Sequence, residues 1–328
     1  MAQPLLEVRD LKTYFVSKES RVPAVDGIDL DVRQGQIVCI VGESGCGKSM
    51  TSLSIMRLLP RPRGKIVGGT ILFNGVDLLD LTEKQMSQLR GNEISMIFQE
   101  PMTALNPVLS IGDQIAEVLL RHRRLSRREA TERAVQALTF VGVPRANEIV
   151  HEYPHQLSGG LRQRVMIAMA MACEPKLLIA DEPTTALDVT IQAQVLQLMK
   201  RLRDETGTSM ILISHDLGVV AEMADHVVVM YAGQVVESTD AETLFSQPLH
   251  PYTRGLMASM PSLDEQREVL YSIPGTVPGA VNFPKGCRFA DRCHMAQARC
   301  HRTMPDLREV AAGHFVRCDM ITAEGVGM

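Results

Sequence analysis

The sequence predicts an α/β fold, in which helices cover a parallel β-sheet, followed by a small cysteine-rich extension. Runs of β-branched and apolar residues alternate with segments of helical periodicity, as is typical of parallel sheets with helices on their faces. A glycine-rich turn follows one of the first apolar runs, and four of the seven cysteines lie after residue 286. The 328 residues suffice for two packed units of ordinary size.

Composition narrows the class of protein. The chain is 45% hydrophobic and 22% charged, which is ordinary for a globular protein, and its net charge of −4 does not indicate a nucleic-acid partner. Its apolar runs are shorter than the roughly 18 residues that cross a membrane. The N-terminal residues lack the basic and apolar regions of a secretory signal. We therefore expect a cytoplasmic chain with reduced thiols.

The predicted elements follow one another in α/β order. Residues 36–41, 94–98, 177–180 and 210–214 are expected to be strands, with helices that begin at Lys48 and Thr190. Residues 111–141 are long, charged and helix-periodic, which indicates a helical subdomain over about 100–175. Residues 262–284 are rich in proline and glycine, as connectors are. We expect one domain over residues 1–260 and a second over 261–328.

The turn after the first predicted buried strand carries a phosphate-binding pattern. Gly42 to Ser49 reads G-x-x-x-x-G-K-S between a strand and a helix, the context in which this pattern is informative. Backbone N–H groups would wrap phosphate oxygens, Lys48 would reach the β- and γ-phosphates, and Ser49 would ligate Mg²⁺. A chance glycine-rich turn is the alternative. The predicted nucleotide contacts are Gly42, Glu43, Ser44, Gly45, Cys46, Gly47, Lys48, Ser49 and Met50.

Two carboxylates end the strand predicted at 177–180. Asp181 would lie near a bound Mg²⁺, and Glu182 would polarise the water that attacks the γ-phosphate. A solvated strand end explains such a pair equally well on its own. Together with the phosphate loop, the pair indicates a nucleotide hydrolase.

Residues 157–164, with the sequence Leu-Ser-Gly-Gly-Leu-Arg-Gln-Arg, resemble the signature motif of ABC ATPases. The resemblance implies a P-loop NTPase fold of the ABC type, with a helical subdomain. It also implies that Ser158, Gly159 and Gly160 contact the ATP of a partner subunit. Leu161 stands where many members carry glutamine, so a side-chain hydrogen bond is lost there while the backbone contacts remain.

Further positions match the family one by one over residues 5–260. Gln99 resembles the Q-loop glutamine that touches Mg²⁺ and senses the permease, and His215 resembles the switch histidine. Asp188, in Ala186-Leu187-Asp188, resembles the D-loop. Phe15 or Tyr14 would stack on adenine, with Phe15 preferred by its offset from Asp10. The resemblance implies ATP and Mg²⁺ as cofactors, with catalytic roles for Glu182, His215, Gln99 and Lys48 and metal contacts from Ser49, Gln99 and Asp181.

Residues 100–107 and 248–253 are similar to segments of dipeptide and oligopeptide importer ATPases, although proline-rich stretches that merely end helices are the alternative. The resemblance implies a peripheral protein on the cytoplasmic face of the membrane. Its partners would be two permease subunits, an extracytoplasmic solute-binding protein and a homologous ATPase in a heterodimer, or a second copy in a homodimer. Nickel or another small solute is an alternative cargo. A non-transport ABC ATPase that binds nucleic acid is a more distant alternative.

The C-terminal cysteines have the residue types of a metal site. The gaps between them are five, six and seventeen residues, unlike the short C-x₂₋₄-C pairs of structural zinc. Four thiolates are the ligand set of a [4Fe–4S] cluster, and this segment resembles that of dipeptide importer ATPases proposed to carry one. The expected ligands are Cys287, Cys293, Cys300 and Cys318, with zinc or free thiols as alternatives.

Overall fold

The computed structural model describes residues 3–99, 104–185, 187–260, 271–322 and 325–326. The chain divides into a first unit and a second unit. The first unit is formed by Met1–Val32, Ile37–Leu79 and Ser214–Met328, and the second by Arg33–Gln36 and Asp80–Ile213. Among the helices of the described residues, none has the length and apolar character needed to cross a membrane.

The strands are numbered in chain order: β1 Leu6–Val16, β2 Arg21–Val32, β3 Ile37–Val41, β4 Gly64–Phe73, β5 Val76–Asp77, β6 Ile94–Ile97, β7 Leu177–Asp181, β8 Ser209–Ser214, β9 His226–Tyr231, β10 Gln234–Asp240, β11 Arg308–Ala311, β12 His314–Val316, β13 Ile321–Thr322 and β14 Gly325–Val326.

The α-helices are α1 Lys48–Ile55, α2 Glu83–Leu89, α3 Ile111–His122, α4 Arg127–Phe140, α5 Ala146–Ile149, α6 Gly159–Met171, α7 Val189–Thr206, α8 Leu217–Met223, α9 Ala241–Ser246 and α10 Pro251–Ala258. Short 3₁₀ turns lie at Pro154–Gln156, Ala280–Asn282 and Ala290–Arg292.

The first unit contains the phosphate-loop strand β3, all five residues of which are buried. β3 pairs in parallel with β9, with Ile40 opposite Val228, and β9, β10, β12 and β11 continue the sheet in antiparallel pairs. A separate antiparallel sheet has the order β2-β1-β4-β5. Helix α1 packs on β1 and β2, and the buried hydroxyls of Thr13 and Ser54 are 2.7 Å apart. This contact holds the C-terminal end of α1 against β1.

The second unit contains three parallel strands and a group of helices. β7 lies between β6 and β8, with Leu177 opposite both Ile94 and Ser209. Helix α3 packs against α4, and both pack against α6. These helices lie within residues 100–175, where we expect a helical subdomain. The predicted α/β alternation is confirmed, with strand ends within one residue of those expected. The domain edge near residue 260 stays a prediction, because residues 261–270 lie outside the described part.

A buried carboxylate joins β12 to β10 within the first unit. Glu237 on β10 is fully buried and accepts the N–H groups of Leu249 and His250 at 2.7 and 2.9 Å. His314 Nε2 on β12 donates to the same carboxylate at 2.8 Å. Burial opposes the charge, but the hydrogen bond from His314 and those from the backbone outweigh it and lower the pKa of Glu237. A buried charge is tolerated here because it is fully hydrogen-bonded.

His250 is the N-cap residue of α10, and burial favours its neutral form. Its Nδ1 accepts the N–H of Tyr252 at 3.1 Å, which caps the helix. Burial lowers the pKa of His250 from 6.5 to about 4. The unfolded chain therefore takes up a proton at a higher pH than the folded chain does, so the stabilising contribution is present above pH 6.5 and is lost as the pH falls toward 4.

We expect His250→Asn to flatten the acid dependence of stability. Asparagine keeps a cap for α10 but does not titrate, so the wild type should lose about 2 kcal/mol more unfolding free energy than the variant between pH 7 and pH 5. Urea unfolding at the two pH values measures this, with His155→Asn, at an exposed position, as the control. Equal losses in His250→Asn and the wild type would contradict the assignment.

Candidate functional site

The phosphate loop has room only for glycine at two positions. Gly42 has φ +149° and Gly47 has φ +104°. A Cβ on Gly42 would overlap the carbonyl oxygen of Met230 in β9, and one on Gly47 would lie 2.5 Å from the carbonyl oxygen of Ala24 in β2. The loop is thus pressed against two strands of its own unit. The strand–loop–helix context predicted for G-x-x-x-x-G-K-S is confirmed.

Lys48 lies inside the loop rather than in solvent. Its side chain is almost buried, and its Nζ donates to the carbonyl oxygens of Gly42 and Glu43 at 2.7 and 3.2 Å. Gly47, the N-cap residue of α1, provides no side-chain cap. A helix start of this kind beside an ammonium favours a phosphate. The loop therefore has the chemistry of an anion site.

Tyr14 and Phe15 lie on β1 in the same unit. The Tyr14 hydroxyl donates to Asp26 at 2.6 Å, and burial followed by this hydrogen bond raises the pKa of Tyr14 to about 12. Both aromatic residues are half-buried. Tyr14 is held in place by its hydroxyl, and stacking of Phe15 or Tyr14 on adenine stays a prediction.

His215 follows β8 directly and is exposed. Asp216, the next residue, caps α8 by accepting the N–H groups of Gly218 and Val219 at 2.8 and 3.3 Å. The cap fixes the chain direction immediately after the histidine. His215 belongs to the same unit as the phosphate loop, and its role as the switch histidine stays a prediction.

The second unit brings Gln99 and Glu182 together. Gln99 Nε2 donates to Glu182 Oε2 at 3.2 Å, across 83 positions of sequence. Glu182 has φ +48°, a rare backbone conformation that turns the chain at the end of β7, directly after the buried Asp181. Thr185 Oγ1 also donates to Glu182, at 2.9 Å. Thr185 is not among the residues predicted from the sequence, although a hydroxyl three residues after the carboxylate was a usable signal.

The signature residues lie at the start of α6. Ser158 Oγ accepts the N–H of Leu161 at 3.4 Å, and Asp188 accepts that of Ile191 at 2.9 Å at the start of α7. A Cβ on Gly160 would lie 2.9 Å from the Ile191 side chain, so glycine allows α6 and α7 to approach closely. Contacts of Ser158, Gly159, Gly160 and Asp188 with a second nucleotide stay predictions. Ala186 and residues 100–103, named in the predicted D-loop and permease segment, lie outside the described residues.

The four C-terminal cysteines lie near one another but are not arranged as the ligands of a metal ion. Burial, followed by smaller effects of the nearby thiols of Cys318, Cys293 and Cys300, raises the pKa of Cys287 to about 11. Within the described ranges, no three His, Cys, Asp or Glu side chains are arranged to hold a metal ion. The geometry therefore does not support the predicted [4Fe–4S] or zinc site as a formed site.

Comparison with known families agrees with the geometry of the loop. The ABC transporter family model matches residues 25–185, and the model named "Oligopeptide/dipeptide transporter, C-terminal region" matches residues 236–300. The second match includes Cys287, Cys293 and Cys300 but ends before Cys318.

Curated relatives span nearly the whole chain. The oligopeptide transport ATP-binding protein AppD of Bacillus subtilis is 56% identical over 321 residues, which cover 98% of each chain. The dipeptide transport ATP-binding protein DppD of the same organism is 50% identical and covers 96% of this chain and 94% of its own.

Solved structures share the fold at lower identity. The ATP-binding cassette MJ0796, in a dimeric post-hydrolysis state bound to ADP and Pi, is 27% identical with a TM-score of 0.65. The match covers 72% of this chain and 98% of that chain. The cbiO1 protein of Clostridium perfringens is 26% identical with a TM-score of 0.63, covering 75% and 92%.

We expect Gly47→Ala to weaken nucleotide binding by at least about tenfold, because the new Cβ meets the Ala24 carbonyl and displaces the loop. Titration calorimetry with Mg²⁺ and a non-hydrolysable ATP analogue measures the affinity. Gly35→Ala is the matched control, since Gly35 also has positive φ but its added Cβ would meet nothing within 4 Å. Wild-type affinity in Gly47→Ala would show that the close approach does not shape the site.

Proposed function

The chain belongs to the ABC transporter family of ATPases, and we propose that it hydrolyses ATP to drive uptake of oligopeptides or dipeptides through a membrane permease. The observation that carries the proposal is identity of 50–56% over nearly the full length to relatives named for oligopeptide and dipeptide transport. The glycine-only loop around Lys48 supports the ATP-binding part. The relatives' names favour peptides over nickel as the cargo.

We assign the chemistry of hydrolysis residue by residue, as the family resemblance implies. Lys48 would hold the β- and γ-phosphates, and Glu182 would accept a proton from the attacking water. Gln99, already bonded to Glu182, would orient that carboxylate, and His215 would stabilise the γ-phosphate. Bound Mg²⁺ would neutralise charge between the β- and γ-phosphates. Its ligands would be Ser49, Gln99 and the buried Asp181, which are the oxygen donors that Mg²⁺ prefers.

We propose that two ATPase subunits close on two nucleotides, with Ser158, Gly159, Gly160 and Asp188 directed at the partner's ATP. The support is the resemblance of these residues to the signature motif and D-loop of the family, and a solved relative of the same fold is dimeric. The proposed partner is a homologous ATPase, so the complex is a heterodimer on the cytoplasmic face of the membrane. A solute-binding protein would deliver the peptide.

We also propose that Cys287, Cys293, Cys300 and Cys318 receive a [4Fe–4S] cluster in the cell. The support is the number and type of donors and their gathering in one region, while a formed ligand geometry is lacking. Zinc is the competing occupant. A small segment with little core of its own would gain stability from such a clip.

For the intact chain purified without oxygen, we expect about four irons and four acid-labile sulfides per chain and a visible absorption band. Cys293→Ser should lower both contents, whereas Cys173→Ser, a buried cysteine of the second unit, should not. Near-stoichiometric zinc with no sulfide would show that the site is a structural zinc site and not a cluster. Absence of both iron and zinc would refute the proposal of a metal site.

We expect Glu182→Gln to keep ATP affinity while hydrolysis falls by at least about a hundredfold, because the base is lost and the phosphate loop is untouched. The assay uses the assembled transporter with the corresponding substitution in its partner ATPase. Glu174→Gln, at an exposed position beyond α6, is the control. Wild-type turnover in the doubly substituted complex would exclude Glu182 as the base.

A further inference from the structure

The second residue of the phosphate loop is held by residues from the far end of the chain. The Glu43 carboxylate accepts from Arg292 Nη1 and Nη2 at 2.7 and 3.1 Å, across 249 positions of sequence. The guanidinium is almost buried, with 6% of the side chain exposed. The Glu43 N–H donates to the hydroxyl of Tyr252 at 2.8 Å. A two-point guanidinium–carboxylate pair fixes direction as well as distance, so Glu43 is constrained through both backbone and side chain.

A second arginine reaches the same loop by another route. Arg288 pairs with Asp26, the acceptor of the Tyr14 hydroxyl, and donates to the Ala232 carbonyl oxygen at 2.6 Å. The next residue, Gly233, donates its N–H to the carbonyl oxygen of Cys46 at 2.8 Å. Arg288 thus supports the turn that holds the middle of the phosphate loop.

Aromatic contacts of Phe289 orient the segment that carries both arginines. Phe289 lies between them in sequence, is buried, and packs edge-on against Tyr231 and Tyr252 at ring distances of 5.2 and 5.4 Å. Arg292 also donates to the Tyr231 hydroxyl at 3.4 Å. Edge-to-face aromatic pairs have directional preferences, so the segment is oriented and not merely attached.

Cysteines border this group on both sides. Cys287 directly precedes Arg288, and Cys293 directly follows Arg292. The Cys287 N–H donates to the Cys300 carbonyl oxygen at 2.7 Å. A Cβ on Gly286 would overlap that same carbonyl oxygen, so the backbone at Gly286 and the backbone at Cys300 are in close contact. The segment that carries both arginines is therefore closed on itself by the contact of residues 286–287 with Cys300.

We infer that Arg292 is a positioning residue for ATP binding, through which the cysteine-bordered segment, residues 286–302, holds the phosphate loop in its binding conformation. The inference deepens the proposed function and rests on its ATP-binding part, but not on the cargo or on a metal. Arg292 acts through Glu43 and is not placed on the nucleotide. Its loss should raise the dissociation constant while leaving turnover at saturating ATP nearly unchanged.

The test measures affinity for Mg²⁺ and a non-hydrolysable ATP analogue by calorimetry on the intact chain. We expect Arg292→Gln to weaken binding about tenfold. Arg292→Lys, which keeps the charge but not the two-point geometry, should fall between it and the wild type. Arg302→Gln is the matched control, because Arg302 is an exposed arginine of the same segment.

A double-mutant cycle separates positioning from general damage. Glu43→Gln should weaken binding about as much as Arg292→Gln, and the double variant should be no weaker than either. Wild-type affinity in Arg292→Gln, or losses that add fully in the double variant, would overturn the inference. A wild-type chain that binds no nucleotide would instead refute the proposed function. If Arg292→Gln is unfolded by circular dichroism, the same criteria apply to Arg292→Lys.

Discussion

The close approach of the phosphate loop to its own strands is the constraint on which the rest of the site depends. Gly42 and Gly47 are pressed so tightly against β9 and β2 that no side chain fits, and both have backbone angles that favour glycine. The loop is therefore shaped before a ligand arrives, with the Lys48 ammonium already inside it. Binding to a preformed site loses less free energy to ordering than binding to a mobile loop.

Residues from the C-terminal part of the chain support the phosphate loop. Glu237 keeps its charge in the interior because His314 and two backbone N–H groups bond to it, and this joins β12 to β10. The helix start beside it, at His250, presents Tyr252 to the loop. Tyr252 and β12 thus belong to the same unit as the nucleotide loop.

Local patterns explain what could be predicted from the sequence. The parallel strands, the phosphate loop and the starts of α1 and α7 depend on neighbouring residues, and they lie where periodicity and motif placed them. The meeting of Gln99 with Glu182 was accessible only through family resemblance, since no local pattern joins them. No sequence pattern links Arg292 to Glu43, because the two residues lie 249 positions apart. The cysteines had the right chemistry for a cluster, but residue types do not report ligand distances.

The most direct test of the proposed function is peptide accumulation by the assembled transporter in liposomes, with nucleotide supplied on the side of the ATPase. We expect a labelled dipeptide or oligopeptide, delivered by the solute-binding protein, to accumulate against its gradient with ATP but not with a non-hydrolysable analogue. Accumulation that is equal with both nucleotides, or ATP hydrolysis that never moves peptide, would contradict an ATP-driven peptide importer.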